Sequence, residues 1–189
     1  MTDLLYPNTP APLLFGSETT KASELLPVVD INGNVVAQAS RQFVHAGTKP
    51  LHPVVHLHII NRNGDIYLQK RAAGKKVCPN MWDTAVGGHI SYGEQVLEAL
   101  YREAAEELGF YDFHPICVDT YVFESKIDRE LINVFAAVGD FTPVPDHYEV
   151  SDGRYWTPRE IRASMGKGIL TPNFESEYKR IKSALEALL

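Results

Sequence analysis

Three glutamates, Glu103, Glu106 and Glu107, recur at i, i+3 and i+4 within the run ALYREAAEELGF. On a helix these positions share one face, where like charges repel and cost stability unless a cation sits among them. Arg102 adjoins them, and Gly87-Gly88 stands just before the helix, where backbone can approach a ligand closely. Carboxylates that hold Mg²⁺ or Mn²⁺ while leaving room for phosphate oxygens are the usual protein device for such ions. The spacing therefore points to metal-assisted chemistry on a phosphate ester or diphosphate. An isolated E-x-x-E-E would more readily be a solvated acidic face balanced by Arg102 and lysines, so the surrounding pattern has to decide.

The elements around the glutamates are legible. Apolar residues Leu97, Leu100 or Tyr101, Ala104 and Leu108 recur at helical intervals, which predicts a helix from about Glu94 to Leu108 that Gly109 ends. Upstream, PVVHLHII (53–60) reads as a strand, Asn61-Arg62-Asn63-Gly64 as its turn and DIYLQKR as the returning strand. RAAGKKVCPNMW is the loop that leads into the helix. LPVVDINGNVVAQ (26–38) predicts a hairpin about Asn32-Gly33, and Ser40 caps a short helix that ends at Gly47. Strands are expected near 114–123 and 130–138 and through Arg154-Tyr155-Trp156. Thr157-Pro158 and Thr171-Pro172 open two helices, the last over about 172–188. Residues 1–24, rich in Pro, Thr and Ser, read as an irregular arm whose Leu4-Leu5 and Leu13-Leu14-Phe15 could dock on the body. The fold class is α+β, helices covering a mixed sheet, with one domain over 25–189.

Composition narrows the partners. The 189-residue chain is 44% hydrophobic, 22% charged and carries a net charge of −6. That balance argues against a nucleic-acid polymer or a membrane surface, both of which attract positive potential. A small anionic substrate needs only a local basic cluster. Cys78 and Cys117 have neither disulfide-framework nor zinc spacing, and no segment reads as a membrane span or leader, so a cytoplasmic location is expected.

From Gly88 the chain runs five residues to Glu94, seven more to Arg102-Glu103, then Ala104, Ala105, Glu106-Glu107, Leu108, Gly109 and Phe110. This run matches the Nudix box without a gap, and the chain resembles the Nudix superfamily. The resemblance implies a Nudix-type α/β/α sandwich with a mixed sheet, and hydrolysis of a nucleoside diphosphate derivative or related organic diphosphate with Mg²⁺ or Mn²⁺. It assigns Glu103, Glu106, Glu107 and the Gly88 carbonyl to the metals, Arg102 to orienting the glutamates and Glu94 to supporting the loop. Catalysis would fall to Glu106, Glu107 and Arg102. Glu149, in DHYEVSDGRYW, occupies a loop position from which relatives supply the base.

A second constellation looks like type 1 isopentenyl diphosphate isomerase, a Nudix-fold enzyme that holds a metal with three histidines and two acidic residues. His45 and His52 are seven residues apart, His89 follows Gly88, and Asp128 and Glu130 alternate on an expected strand. These five form a candidate second site for Zn²⁺ or Mn²⁺. Arg41, Arg71 and Lys75 fall where that enzyme keeps basic residues for its diphosphate. That enzyme also needs a cysteine just before the Gly-His, where this chain has Gly87, and carries Arg where this chain has Glu103. Hydrolysis is therefore the favoured expectation. An isomerase-like enzyme and a non-catalytic diphosphate-binding protein are the alternatives. His56 and His58, alternating on a strand, read as packed or hydrogen-bonded, and Trp156 as core. Trp82 and Tyr92 are expected to flank the entrance, and dimerisation is expected through the arm or the hairpin.

Overall fold

The centre of the fold is β3 (Leu51–Ile60), every residue of which is buried. A strand buried on both faces needs neighbours on each side and a layer above and below. β8 (Arg129–Val138) runs parallel to its whole length on one side. The other side is shared by β6 (Val86–His89) and β4 (Ile66–Arg71), both antiparallel. β5 (Trp82–Thr84) and β9 (Val150–Trp156) extend the sheet from β4, and β7 (Ile116–Glu124) extends it from β8. The computed structural model describes residues 24–189. The N-terminal arm, with its two leucine pairs, lies outside the described residues apart from Glu24.

The two layers follow from strand alternation. Odd-numbered residues of β3 (Val55, Leu57, Ile59) pack with Ala99, Leu100, Ala104 and Leu108 of α2 (Val96–Leu108). On the opposite face Val54 and Ile60 join Phe174, Tyr178, Ile181 and Leu185 of α4 (Pro172–Glu186) and Ile161 of α3 (Pro158–Ser164). This is the expected α+β sandwich of a mixed sheet between helices. One expected core position fails: Leu97 is 48% exposed. It lies in the first turn of α2, roughly 60° around the helix from Leu100, at the border of the buried stripe.

Local chemistry sets the element ends. β1 (Leu25–Val29) and β2 (Val35–Ser40) form a separate two-stranded sheet. Their turn is fixed by the Asp30 carboxylate, which accepts the N–H groups of Asn32 and Asn34. Ser40 caps a short α1 (Arg41–Phe43), which continues into a π-type turn (Val44–Thr48) whose helical backbone breaks at Gly47, left-handed at φ 82°, where the stop is expected. Thr157 and Thr171 cap α3 and α4, each with Pro in the first turn. Among the described residues no helix is long and apolar enough to cross a membrane.

One polar cluster sits inside the α4 layer. Glu177 is fully buried and accepts from His56 Nδ1 (2.8 Å), His58 Nε2 (2.7 Å) and the Tyr121 hydroxyl (2.8 Å). Burial alone would strip charge from His56, but Glu177 outweighs it and lifts the imidazole from 6.5 to about 9. The two histidines in turn hold the Glu177 carboxyl well below its usual 4.5 against its own burial. His56, being raised, contributes stability fully below pH 6.5 and loses it as pH climbs through about 9. Glu177, being lowered, contributes above pH 4.5 and loses that as pH falls. Removing one member leaves the others buried and unpaired. Glu177→Ala is expected to cost roughly 3–5 kcal/mol at neutral pH, read by urea denaturation, and to flatten the fall in stability between pH 7 and 9.

Candidate functional site

The box residues are held by one guanidinium. Arg102 donates to both Glu94 oxygens (2.7 and 2.9 Å), to Glu103 (2.8 Å), to Glu106 (3.4 Å) and to the His89 carbonyl (3.0 Å). Burial works against its charge, but hydrogen bonds to Glu94 and the attraction of Glu103 outweigh that and hold it charged more firmly than usual. Glu94 accepts the Ser91 N–H as well, so Arg102 and Glu94 together tie the 88–94 loop to the helix. Gln95 and Glu98 close a capping box at the helix start, and Gly109, left-handed at φ 54°, ends it.

The three glutamates are graded in depth. Glu107 is buried, Glu103 is partly buried and Glu106 is exposed. Glu103 lies so close over Gly88 that a Cβ there would sit 2.0 Å from its carboxyl carbon, so only glycine fits. Glu107 accepts from Gln69 (3.1 Å) and from the Gly87 N–H (3.4 Å). Burial, reinforced by Glu103 and opposed by Lys75, lifts its carboxyl from 4.5 to about 8. A deep carboxylate that holds its proton for want of positive charge, beside a second carboxylate on a glycine cradle, suits a divalent cation. Glu149, half-buried, pairs with Lys75, whose charge also acts on Glu107.

The histidines also converge. Donor atoms of His45, His52 and His89 lie within 4.8 Å of one another. His45 Nε2 is 2.9 Å from His89 Nε2, and the ring centroids of the three are 5.0–5.5 Å apart. His52 turns Nδ1 to the Pro50 carbonyl (3.1 Å) and leaves Nε2 buried without a partner. Burial pushes His52 down, and it pushes His89 well down with help from Arg41, which favours the neutral imidazole that metals take. An orphaned buried nitrogen beside two other imidazoles fits a borderline-soft cation.

The acidic pair behaves differently from its expected part. β8 starts at Arg129, so Asp128 closes a turn with Ser125 instead of alternating with Glu130 on the strand. From there it accepts from His45 Nδ1 (3.3 Å) and so orients that ring. Glu130 is paired in register with His52, and burial lifts its carboxyl to about 7, yet it stands outside the three-histidine group. The expected basic residues are each tied to a carboxylate: Arg41 to Glu24 (2.9 Å), Arg71 to Asp83 (3.3 Å) and Lys75 to Glu149. Trp82, expected at the entrance, packs edge-on against buried Trp156 (5.1 Å), while Tyr92 remains exposed.

A box of this kind on a mixed sheet between helices has a family. The NUDIX domain model matches residues 50–174. The chain belongs to the Nudix family. Among the relatives of this Nudix protein is the isopentenyl-diphosphate Delta-isomerase of Corynebacterium efficiens, 29% identical over 156 residues, covering 75% of this chain and 80% of that one. Among solved structures, DR0079 from Deinococcus radiodurans superposes with a TM-score of 0.73 at 25% identity, covering 84% of this chain and 99% of that one. The MutT protein of Methanosarcina mazei superposes at 0.61 with 22% identity, covering 72% and 96%. Both relationships seen in the residues, to hydrolase-type Nudix folds and to the isomerases, are thus present.

Gln69 and Glu177 were not singled out from the sequence. Glu177 had a signal, because it falls on the inner stripe with Phe174, Tyr178 and Ile181. The Gly88 cradle gives a direct test. Gly88→Ala should displace the Glu103 carboxylate and cost about 1–3 kcal/mol. In a Glu103→Ala background the same change should cost clearly less, a coupling measurable by denaturation of the four variants.

Proposed function

We propose that the protein is a metal-dependent Nudix hydrolase that cleaves the diphosphate linkage of a nucleoside diphosphate derivative or related organic diphosphate. The observation that carries this reading is the complete carboxylate set: Glu103 on its glycine cradle and Glu106 at the rim, both bound by Arg102, with buried Glu107 held by Gln69 and the Gly87 N–H. In it, Glu103, Glu106, Glu107 and the Gly88 carbonyl hold Mg²⁺ or Mn²⁺. A cation there neutralises phosphate oxygens and acidifies water. Arg102 keeps the glutamates aligned, and Glu149 or a box glutamate takes the proton of the attacking water. Lys75, beside Glu149, together with Arg71 and Arg41, binds phosphate oxygens with the donors that their carboxylate contacts do not use.

Gly87 supports hydrolysis over isomerisation. A Cβ at this position would meet His56 and Thr84 only at 3.5–3.7 Å, ordinary contact distances. Packing does not demand glycine there, so the lack of a side chain is a chemical difference. The three histidines are read as a second metal site for Zn²⁺ or Mn²⁺, with Asp128 orienting His45 and Glu130 alongside. The relation to curated isomerases supplies the second reading, an isomerase-like activity on isopentenyl diphosphate.

Two measurements separate these. Phosphate or monophosphate release from a panel of nucleotide, sugar-nucleotide and prenyl diphosphates with Mg²⁺ or Mn²⁺ should occur in the native protein. It should fall by roughly 10²–10⁴-fold in Glu107→Gln. Unchanged release in that variant would remove the box from catalysis, and conversion of isopentenyl diphosphate without hydrolysis would favour the isomerase reading. For the histidine site, elemental analysis of purified protein should find bound metal that drops in both His52→Ala and His89→Ala. Equal metal content in all three proteins would sink that site.

A further inference from the structure

Gly87 borders two things at once. Its N–H points to Glu107 (3.4 Å), while a Cβ built on it would meet the ring of His56, 3.5 Å from Cδ2 and 3.6 Å from Nε2. The glycine is exposed, so ligand atoms can occupy the space where a side chain would have been. His56 pairs with Gly87 across β3 and β6, which directs both to the same face of the sheet. Its Nδ1 is committed to Glu177 (2.8 Å), which leaves Nε2 as the end of the ring that meets the open floor. The Glu177 carboxylate is fully buried, and its partners are two imidazoles and a phenol. A proton on both nitrogens of His56 lets Nδ1 pair with that carboxylate as a charged donor while Nε2 keeps an N–H for the floor.

We infer that His56 is a specificity-determining residue, donating its Nε2–H through the gap at Gly87 to the organic part of the ligand. It thereby selects diphosphates whose organic group bears a hydrogen-bond acceptor near the phosphates, such as a ribose or sugar oxygen, over those bearing only hydrocarbon. This deepens the diphosphate reading above and rests on it. The raised basicity of His56 agrees with it: burial opposes the charge, and Glu177, with Glu130 and Asp83, outweighs burial. His58 and Tyr121 complete the polar groups around Glu177. An alkyl chain laid on this floor would cover a charged donor without replacing its water, whereas an acceptor oxygen would satisfy it.

The test uses non-hydrolysable probes, so that binding is read whether or not turnover occurs. Titration calorimetry of the full chain with Mg²⁺ compares a nucleoside and a glycosyl methylenebisphosphonate with a prenyl methylenebisphosphonate. The native protein should bind at least one polar probe about tenfold or more tighter than the prenyl probe. His56→Phe should weaken the polar probe roughly 10- to 100-fold and leave the prenyl probe unchanged or tighter. His56→Gln, which keeps a donor and spares Glu177 a fully apolar neighbour, should retain part of the preference even where the Phe variant fails to fold. Tyr121→Phe, which removes a Glu177 bond away from the floor, should leave the preference intact. Equal affinity of the native protein for all probes, binding of none, or equal weakening of polar and prenyl probes in the His56 variants would overturn the inference. Loss of the hydrolase reading would show separately, as an absence of turnover with the probe preference still present.

Discussion

Electrostatic repulsion among clustered carboxylates is the constraint to which this structure is most visibly fitted. Glu94, Glu103, Glu106 and Glu107 are brought together by one loop and one helix, and a single guanidinium binds the first three. Because Arg102 also takes the His89 carbonyl, the same residue fixes the strand end from which the helix departs. Its planar fork of donors is what allows four acceptors to be held at once. Glu107 lies beyond that fork, where burial and Glu103 disfavour its charge and Gln69 of β4 donates to it.

The opposite face of the sheet solves a related problem with other groups. There the buried charge belongs to Glu177 on α4, and its partners come from β3 and β7. The helix is therefore joined to the sheet by polar contacts as well as by Phe174, Tyr178, Ile181 and Leu185. Two buried ionic clusters lie on either side of β3 and β6, and Gly87 is the residue that borders both.

Much of this was legible in the sequence for identifiable reasons. The box helix, the strand pair about Asn61–Gly64, the Asn32-Gly33 turn and the Thr-Pro helix starts are local signals, carried by residues within a few positions of one another. The meeting of His45, His52 and His89 followed from resemblance, since residues on a π-helical turn and two strands have no common local period. The misplacement of Asp128 was a boundary error of one residue, enough to move it from strand to turn, where it meets His45. Leu97 failed because a helical period gives the direction of a stripe and not its width. Lys75 and Glu149 are far apart in sequence and meet only through tertiary structure, so no pattern could announce their pairing.

The bare Gly87 also decides what kind of reagent the site can ignore. With no thiol on that floor, the nearest cysteine in sequence is Cys78, half-buried in the loop, where burial pushes the thiol up and away from its reactive form. Cys117 lies exposed on β7, paired with Phe135 of β8. Among the described residues, the carboxylates and imidazoles of the floor are joined by no thiol to alkylate or oxidise. Its working groups are carboxylates and imidazoles, which neither form disulfides nor enter the thiol oxidation ladder.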